Sequence, residues 1–281
     1  NNGIQHVYEI ETCSGNVIRS TKNHPHLTIS RSGNLIWKKT GDLTTNDYLI
    51  SPQSLETGNV EINKDDAYLL GLLVADGYLG DQRICITNND ASVIDFLKQQ
   101  GSKILDILPR VYDKRPSLDI HFNGTIKIQS FYQKYGLLAK RSREKLVPVI
   151  LHQATKESVV SFLQGYFDCE CSFNVNEQYS IEVTSASRAL LQGIKLLLHQ
   201  LGIHSWIQEK FVKTYPNDKY WKLSLYGENV DRYLEIVGFR SLNRNEKIQS
   251  LVENKPLTNH SSSIPNIDLL LKDIFDSTEN R

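Results

Sequence analysis

Apolar and polar positions alternate through the first fifty residues in short runs, VYEIET, VIRST, HLTIS and LIWKK, separated by the glycine-bearing turns CSGN and RSGN. A period of two between glycine turns predicts a small antiparallel β unit over residues 1–52. Residues 53–64 carry no sustained period and read as a linker. The pattern then changes. YLLGLLVADGYLG, Tyr68 to Gly80, is an apolar run of helical character that closes on an acid and a glycine, Asp76-Gly77. An acid at a helix C-terminus opposes the dipole by some tenths of a kcal/mol to about 1 kcal/mol, so a positive partner is expected close by.

The same plan returns later in the chain. FLQGYFDCECSF, Phe162 to Phe173, places Gly165, Cys169 and Glu170 as the earlier run places Gly71, Ala75 and Asp76, with the acids 94 residues apart. After Asp76 the pattern gives a strand (RICITNND), a helix (ASVIDFLKQQ), a strand (SLDIHFN) and a helix (IKIQSFYQKYGLLA). After Glu170 come YSIEVTSAS, RALLQGIKLLLHQLGI, YWKLSLYG and ENVDRYLEIVGF, in the same succession of types. The expectation is an α+β fold of two α-β-β-α-β-β-α halves, residues 65–156 and 157–250, related by a pseudo-two-fold axis. Gly71 with Ala75, and Gly165 with Cys169, leave one face of each helix without bulk, so the two helices can approach closely. Their ends would then bring Asp76 and Glu170 together, and two such carboxylates call for a divalent cation. Residues 251–281 begin as a polar loop and end in a short amphipathic helix, IDLLLKDIF, with Leu269, Leu270 and Ile274 at helical spacing.

LLGLLVADG resembles a LAGLIDADG motif, and LQGYFDCEC resembles a diverged second copy. The resemblance covers about residues 65–250 and is to the monomeric, double-motif homing endonucleases. It implies that the two motif helices form the central interface and that Asp76 and Glu170 hold the catalytic metals, Mg²⁺ with Mn²⁺ as a substitute. It also implies two four-stranded sheets forming a saddle over the major groove of double-stranded DNA, at a long asymmetric site cut to leave short 3′ overhangs. Intein-encoded members carry a lysine in each half, and Lys145 (in EKLVP) and Lys247 (in NRNEKIQS) match. A lysine beside the scissile phosphate stabilises developing charge or orients water. The second motif departs from the family at Cys171, where glycine is usual; a left-handed backbone there and a side chain beside Glu170 are expected to strain and crowd that site.

Charge narrows the DNA face. The chain has 32 basic and 32 acidic residues, so binding to DNA would rest on local stripes. KYGLLAKRSREK and EKFVKTYPNDKYWK are two such stripes. Alternation turns Ile84 and Ile86 toward the helices and Arg83, Cys85 and Thr87 outward; Ile181 and Val183 alternate with Ser180, Glu182 and Thr184, and Trp221, Leu223 and Leu225 with Lys222, Ser224 and Tyr226. The candidate DNA contacts are Arg83, Thr87, Lys114, Arg115, Lys140, Arg141, Lys210, Lys213, Lys219 and Lys222.

GNVIRSTKNHPHL, Gly15 to Leu27, resembles the TxxH block of an intein splicing (Hint) domain, with Thr21 and His24 in the matching positions. WKKTGDLTTNDYLISP resembles the segment that follows. The resemblance implies that His24 polarises a scissile peptide. No Cys or Ser opens the chain, it ends STENR, and it has no methionine even at position 1, so it reads as the interior of an intein or a processed piece. Two other readings stand beside the endonuclease: a self-splicing intein whose endonuclease has decayed, and a LAGLIDADG-type RNA-splicing maturase or non-cleaving DNA-binding protein. Cys13, Cys85, Cys169 and Cys171 form no CxxC pair and are expected to be free thiols. With no membrane span or signal peptide readable, the expectation is an intracellular monomer, cytoplasmic in a prokaryote and nuclear or organellar in a eukaryote.

Overall fold

The computed structural model describes residues 3–137, 141–174, 179–253 and 272. The chain divides into two compact units, one holding the described residues up to Gln53 and the other running from Ser54. Leu269, Leu270 and Ile274 of the expected C-terminal helix, and the candidate DNA contact Lys140, lie outside the described residues.

In the first unit, β1 (Val7–Glu11) and β2 (Val17–Thr21) pair antiparallel, with Val7 opposite Thr21. A second sheet has the order β4-β3-β5, from β3 (Pro25–Ile29), β4 (Leu35–Lys39) and β5 (Tyr48–Leu49). Both SGN turns close in the same way, with Gly15 at φ +82° and Gly33 at φ +79°, a conformation that glycine adopts without steric cost.

The second unit holds two runs of elements with one plan. The first comprises α1 (Lys64–Asp76), β6 (Tyr78–Leu79), β7 (Arg83–Asn88), α2 (Ala91–Phe96), α3 (Ser102–Leu105), β8 (Arg110–Lys114), β9 (Ser117–Asn123) and α4 (Thr125–Tyr135), with a π turn, Leu97–Gly101, joining α2 to α3. The second comprises α5 (Lys156–Glu170), β10 (Cys171–Asn174), β11 (Ser180–Ser185), α6 (Arg188–Gln200), β12 (Trp206–Lys210), β13 (Tyr220–Tyr226), α7 (Glu228–Ile236) and α8 (Leu242–Glu253). The sheets are β6-β7-β9-β8 and β10-β11-β13-β12, antiparallel throughout. Register puts Ile84 opposite Phe122 and Ile86 opposite Ile120, and likewise Ile181 opposite Leu225 and Val183 opposite Leu223, so each sheet turns one apolar face to the core.

Helix α1 starts where Asn63 accepts from the N–H groups of Asp65 and Asp66, whose own charges suit the positive end of the dipole. It packs along α5 through the two glycines. A Cβ added at Gly71 would lie 2.1 Å from the Phe162 carbonyl oxygen, and one at Gly165 2.2 Å from that of Tyr68, so neither position has room for a side chain. Among the described residues, no helix is long and apolar enough to cross a membrane.

Two expectations are corrected. Cys171 is not left-handed: its φ of −88° and ψ of 147° are extended, as are the −71° and 134° of Gly77. Cys171 is 5% exposed and belongs to the hydrophobic core. The strand that follows the helix at once turns position 171 inward, away from solvent. In the second sheet, Ser180 and Ser224 are 0% and 1% exposed, so these outward serines are not open contact positions. Larger neighbours on that face, Trp206 and Tyr226 with ring centroids 5.6 Å apart and the Glu182–Lys222 ion pair, flank them.

Candidate metal centre at two helix ends

Each motif acid stands at the joint between a core helix and the first strand of a sheet. Asp76 is the last residue of α1, closed by the Gly77 N–H donating to the Leu73 carbonyl at 3.0 Å, and β6 begins at Tyr78. Glu170 is the last residue of α5, closed by the Cys171 N–H donating to Phe167, and β10 follows directly. Because the glycine seam holds the helices close, the two carboxylates interact. Burial and the charge of Asp76 push Glu170 up to about 7, against the pull of Lys145 and Arg244. Asp76 reaches solvent, yet the protein around it displaces enough hydration to raise its carboxyl, again opposed by Lys145.

Lys145 is 8% exposed and donates from Nζ to the Ala75 carbonyl at 3.2 Å. Burial lowers its ammonium pKa, while Asp76 and then Glu170 hold the charge in place. Its own carbonyl accepts from Ser187 Oγ at 2.8 Å, and the same Oγ accepts the Leu190 N–H at the start of α6, so the second half fixes the lysine of the first. Sequence reading passed over Ser187, although a serine before the apolar-periodic run RALL is a recognisable helix start.

At the end of α5 the cation is Arg244, which sequence reading missed. Nε donates to the Asp168 carbonyl at 3.1 Å, one terminal nitrogen to Cys169 at 3.1 Å and the other to Cys171. Ala75 and Cys169 occupy the same place in the two motifs, so Lys145 and Arg244 are the positive partners that two acid-ended helices require. Lys247 lies exposed on the next turn of α8, and its charge acts on Cys171. Arg244 had a faint signal: it is the third residue of a helix whose cap, Ser241, accepts the Arg244 N–H at 3.1 Å. Nothing in the sequence said that this helix begins beside α5.

A buried polar cluster ties the helices below the acids. Tyr68 donates to Asp168 across the seam at 2.6 Å, and the N–H groups of Arg240 and Ser241 donate to the same oxygen. Burial raises Asp168 to about 6 against these bonds. The Arg240 guanidinium bridges Asp65 at 3.0 Å and Gln164 at 3.0 Å while lying over the Tyr68 ring.

The donor set suits a hard cation. Asp76 and Glu170 offer only oxygen, and a divalent ion would offset the burial and the repulsion by Asp76 that raise Glu170, so the residues fit Mg²⁺ or Mn²⁺. The candidate DNA contacts are spread around the sheets. Arg83, Thr87, Lys114, Arg115, Arg141, Lys213 and Lys219 are exposed, whereas Lys210 and Lys222 are half-buried. Several already have partners: Lys114 with Asp119, Arg115 with Asp113, Lys219 with Glu209 and Lys222 with Glu182. In the first unit, Thr21 donates to Asn23 at 2.9 Å, and His24 is exposed with its ring edge-on to His26 at 5.1 Å. The histidine held by hydrogen bonds there is His26, whose Nε2 meets Thr40 Oγ1 at 3.0 Å and Ser20 Oγ at 3.2 Å. All four cysteines are free.

Residues 157–238 match the model of the LAGLIDADG-like domain. The chain is 24% identical over 283 residues to the Replication factor C small subunit of Methanocaldococcus jannaschii, covering 96% of this chain and 14% of that protein. It is 30% identical over 192 residues to the probable translation initiation factor IF-2 of the same organism, covering 66% of this chain and 16% of that protein. The chain thus spans a small part of the curated relatives it matches. Among solved structures, I-DmoI in complex with DNA and Ca is similar over 66% of this chain and 97% of that one, at 14% identity and a TM-score of 0.49. Full-length WhiA from Thermatoga maritima is similar over 79% of this chain and 70% of that one, at 18% identity and a TM-score of 0.46.

Proposed function

We propose that this chain is a homing endonuclease of the double-motif LAGLIDADG type, carried within an intein, which cuts both strands of a long asymmetric DNA site with Mg²⁺. The observation that carries this reading is the pair of helix-end carboxylates, Asp76 and Glu170, with the buried ammonium of Lys145 acting on both. A pure DNA-binding protein would have no need of two crowded acids on a surface that meets DNA, since they would repel its phosphates. Asp76 and Glu170 would hold the metal, which when bound supplies a Lewis acid to a phosphoryl oxygen and lowers the pKa of water. Lys145 stabilises charge that develops on the phosphate, and its fixed backbone removes the need to reorganise during reaction.

The outer faces of the sheets would meet the major groove. Cations such as Lys114 and Lys219 would exchange their carboxylate partners for phosphates, so binding weakens steeply with salt. Both motifs lie in one chain, which suits a monomer. The intein setting is supported by the relatives: stretches similar to 63–96% of this chain occur as small parts of proteins named for a replication factor, an initiation factor and an ATP synthase subunit. An element inserted into unrelated hosts would give that distribution. In that setting Thr21 and His24 would belong to the splicing module.

The test is incubation of the full chain with a randomised duplex library, with Mg²⁺, with Mn²⁺ and with neither. Ends with short 3′ overhangs at one recoverable sequence, formed only with metal, are the expected product. A library retained by the protein but uncut with both metals would sink the nuclease reading and leave the non-cleaving binder.

A further inference from the structure

On the outer face of the first sheet, Cys85 of β7 lies directly opposite His121 of β9, and Asp119 precedes His121 by two residues on the same face. One ligand atom from each, the Cys85 Sγ, a ring nitrogen and a carboxylate oxygen, lies within 4.8 Å of the others. The carboxylate is built in: the Asp119 side chain is 4% exposed, held by Thr87 at one oxygen and by Lys114 at the other. The His121 side chain is 17% exposed, its ring sheltered by Tyr112 at 4.7 Å between centroids. Its Nε2 is buried, makes no close hydrogen bond among the described residues, and faces Asp119 Oδ2 at 3.6 Å, an ion pair only when the ring is protonated. With the ring neutral that nitrogen is left unsatisfied, and its convergence with a thiol and a fixed carboxylate suits a shared ligand.

We propose that Cys85, Asp119 and His121 form a transition-metal site of the Zn²⁺ class, separate from the Asp76–Glu170 centre. Thiolate, imidazole and carboxylate together select Zn²⁺ or Co²⁺ over Mg²⁺, which prefers oxygen alone. Tetrahedral zinc with bonds of about 2.0–2.3 Å separates its ligand atoms by roughly 3.3–3.8 Å, so the present cluster closes by about 1 Å of side-chain movement. The fourth position stays open. Binding requires the thiol to ionise and its proton to pass to solvent. The metal replaces Lys114 at Asp119, while Thr87 keeps the other oxygen oriented, as outer partners of metal carboxylates do. With two charges gained and one proton lost, this face becomes more positive by one unit and Lys114 is released to solvent.

The test is a Co²⁺ titration of the full chain, reduced and stripped of metal, read by absorption. One equivalent should give a sulfur-to-cobalt charge-transfer band with tetrahedral d–d bands, and Zn²⁺ should bleach them. Cys85→Ser should abolish the sulfur band, and His121→Gln should weaken binding at least tenfold. Cys13→Ser and Glu170→Gln should leave the spectrum as it is, since the exposed Cys13 thiol and the helix-end centre are not involved. A rise in melting temperature with Zn²⁺ in the parent, absent in Cys85→Ser, checks that the variant is folded and site-deficient. No sulfur band in the parent, a band that survives Cys85→Ser, or one lost in Cys13→Ser or Glu170→Gln would overturn the proposal.

Discussion

Gly71 of α1 and Gly165 of α5 lie in one seam, each with its missing Cβ aimed at the other helix's backbone, 2.1 Å from the Phe162 oxygen and 2.2 Å from the Tyr68 oxygen. A carbonyl inside a helix cannot rotate out of the way as a side chain can. Gly71→Leu or Gly165→Leu should therefore force the helices apart and destabilise the protein by about 3 kcal/mol or more. Urea unfolding would measure it. Unchanged midpoints in both variants would mean that the seam is not the close contact that positions the acids.

Removing either carboxylate charge at constant shape separates cleavage from binding. Asp76→Asn and Glu170→Gln should each lower double-strand cleavage by about a hundredfold or more, while DNA affinity in Ca²⁺ stays within a few-fold. Plasmid cleavage and gel shift read the two quantities. Parent-like cleavage by both variants would remove these acids from the chemistry.

The raised carboxyl of Glu170 makes a stability claim as well. Its pKa moves from an ordinary 4.5 to about 7 on folding. Between those values the folded state binds the extra proton, so the stabilisation is fully present below about pH 4.5 and is lost as pH rises through about 7. Glu170→Gln cannot lose it. The variant should gain on the parent in melting temperature as pH goes from 5 to 8, and Mg²⁺ should restore the parent at pH 8 by replacing the proton. A difference that is flat with pH would mean that Glu170 is neither buried nor crowded by Asp76 as the fold has it.

Long apolar-periodic segments were the legible part of this fold. The alternation of Arg83–Asn88, Ser180–Ser185 and Tyr220–Tyr226 places Ile84, Ile86, Ile181, Val183, Leu223 and Leu225 on the buried face, as the structure has them. The edge strands were not legible: β8, RVYDK, is exposed at every position, and β6 has only two residues, so neither has an alternation to read. The acids and their glycines could be found because the plan is repeated at a fixed offset. The roles of Arg244, Ser187 and Asp168 could not, because each acts through the backbone of an element distant in sequence, which pattern along the chain does not encode. Cys171 was misread for a related reason: a helix that runs straight into a strand needs no left-handed residue at its end.

That last point changes what a glycine should do there. Cys171→Gly removes a buried side chain from the core and adds freedom to the unfolded chain, so it should cost about 1–3 kcal/mol and leave the cleavage rate unchanged. Thermal denaturation and a time course of nicked and linear plasmid would show it. A faster, more stable glycine variant would mean that the thiol does obstruct the site served by Glu170.

Arg244 and Lys247 compete for the role of the second cation, and the acid beside them can arbitrate. Arg244 holds the Asp168, Cys169 and Cys171 carbonyls and draws the Glu170 carboxyl downward, whereas Lys247 is exposed and acts on Cys171. Arg244→Gln should uncap α5 and lower stability by about 2–4 kcal/mol, since carbonyls built to meet a charge lose it. It should also let Glu170 rise above about 7, moving the rise of cleavage rate with pH toward higher pH. Arg244→Lys, which keeps the charge but not the three-way fork, should return the pH profile more fully than the stability. Lys247→Gln should shift neither. If instead Lys247→Gln moves the pH profile and Arg244→Gln changes stability alone, then Arg244 is only a helix cap and the lysine match read from the sequence marks the cation that serves the second strand.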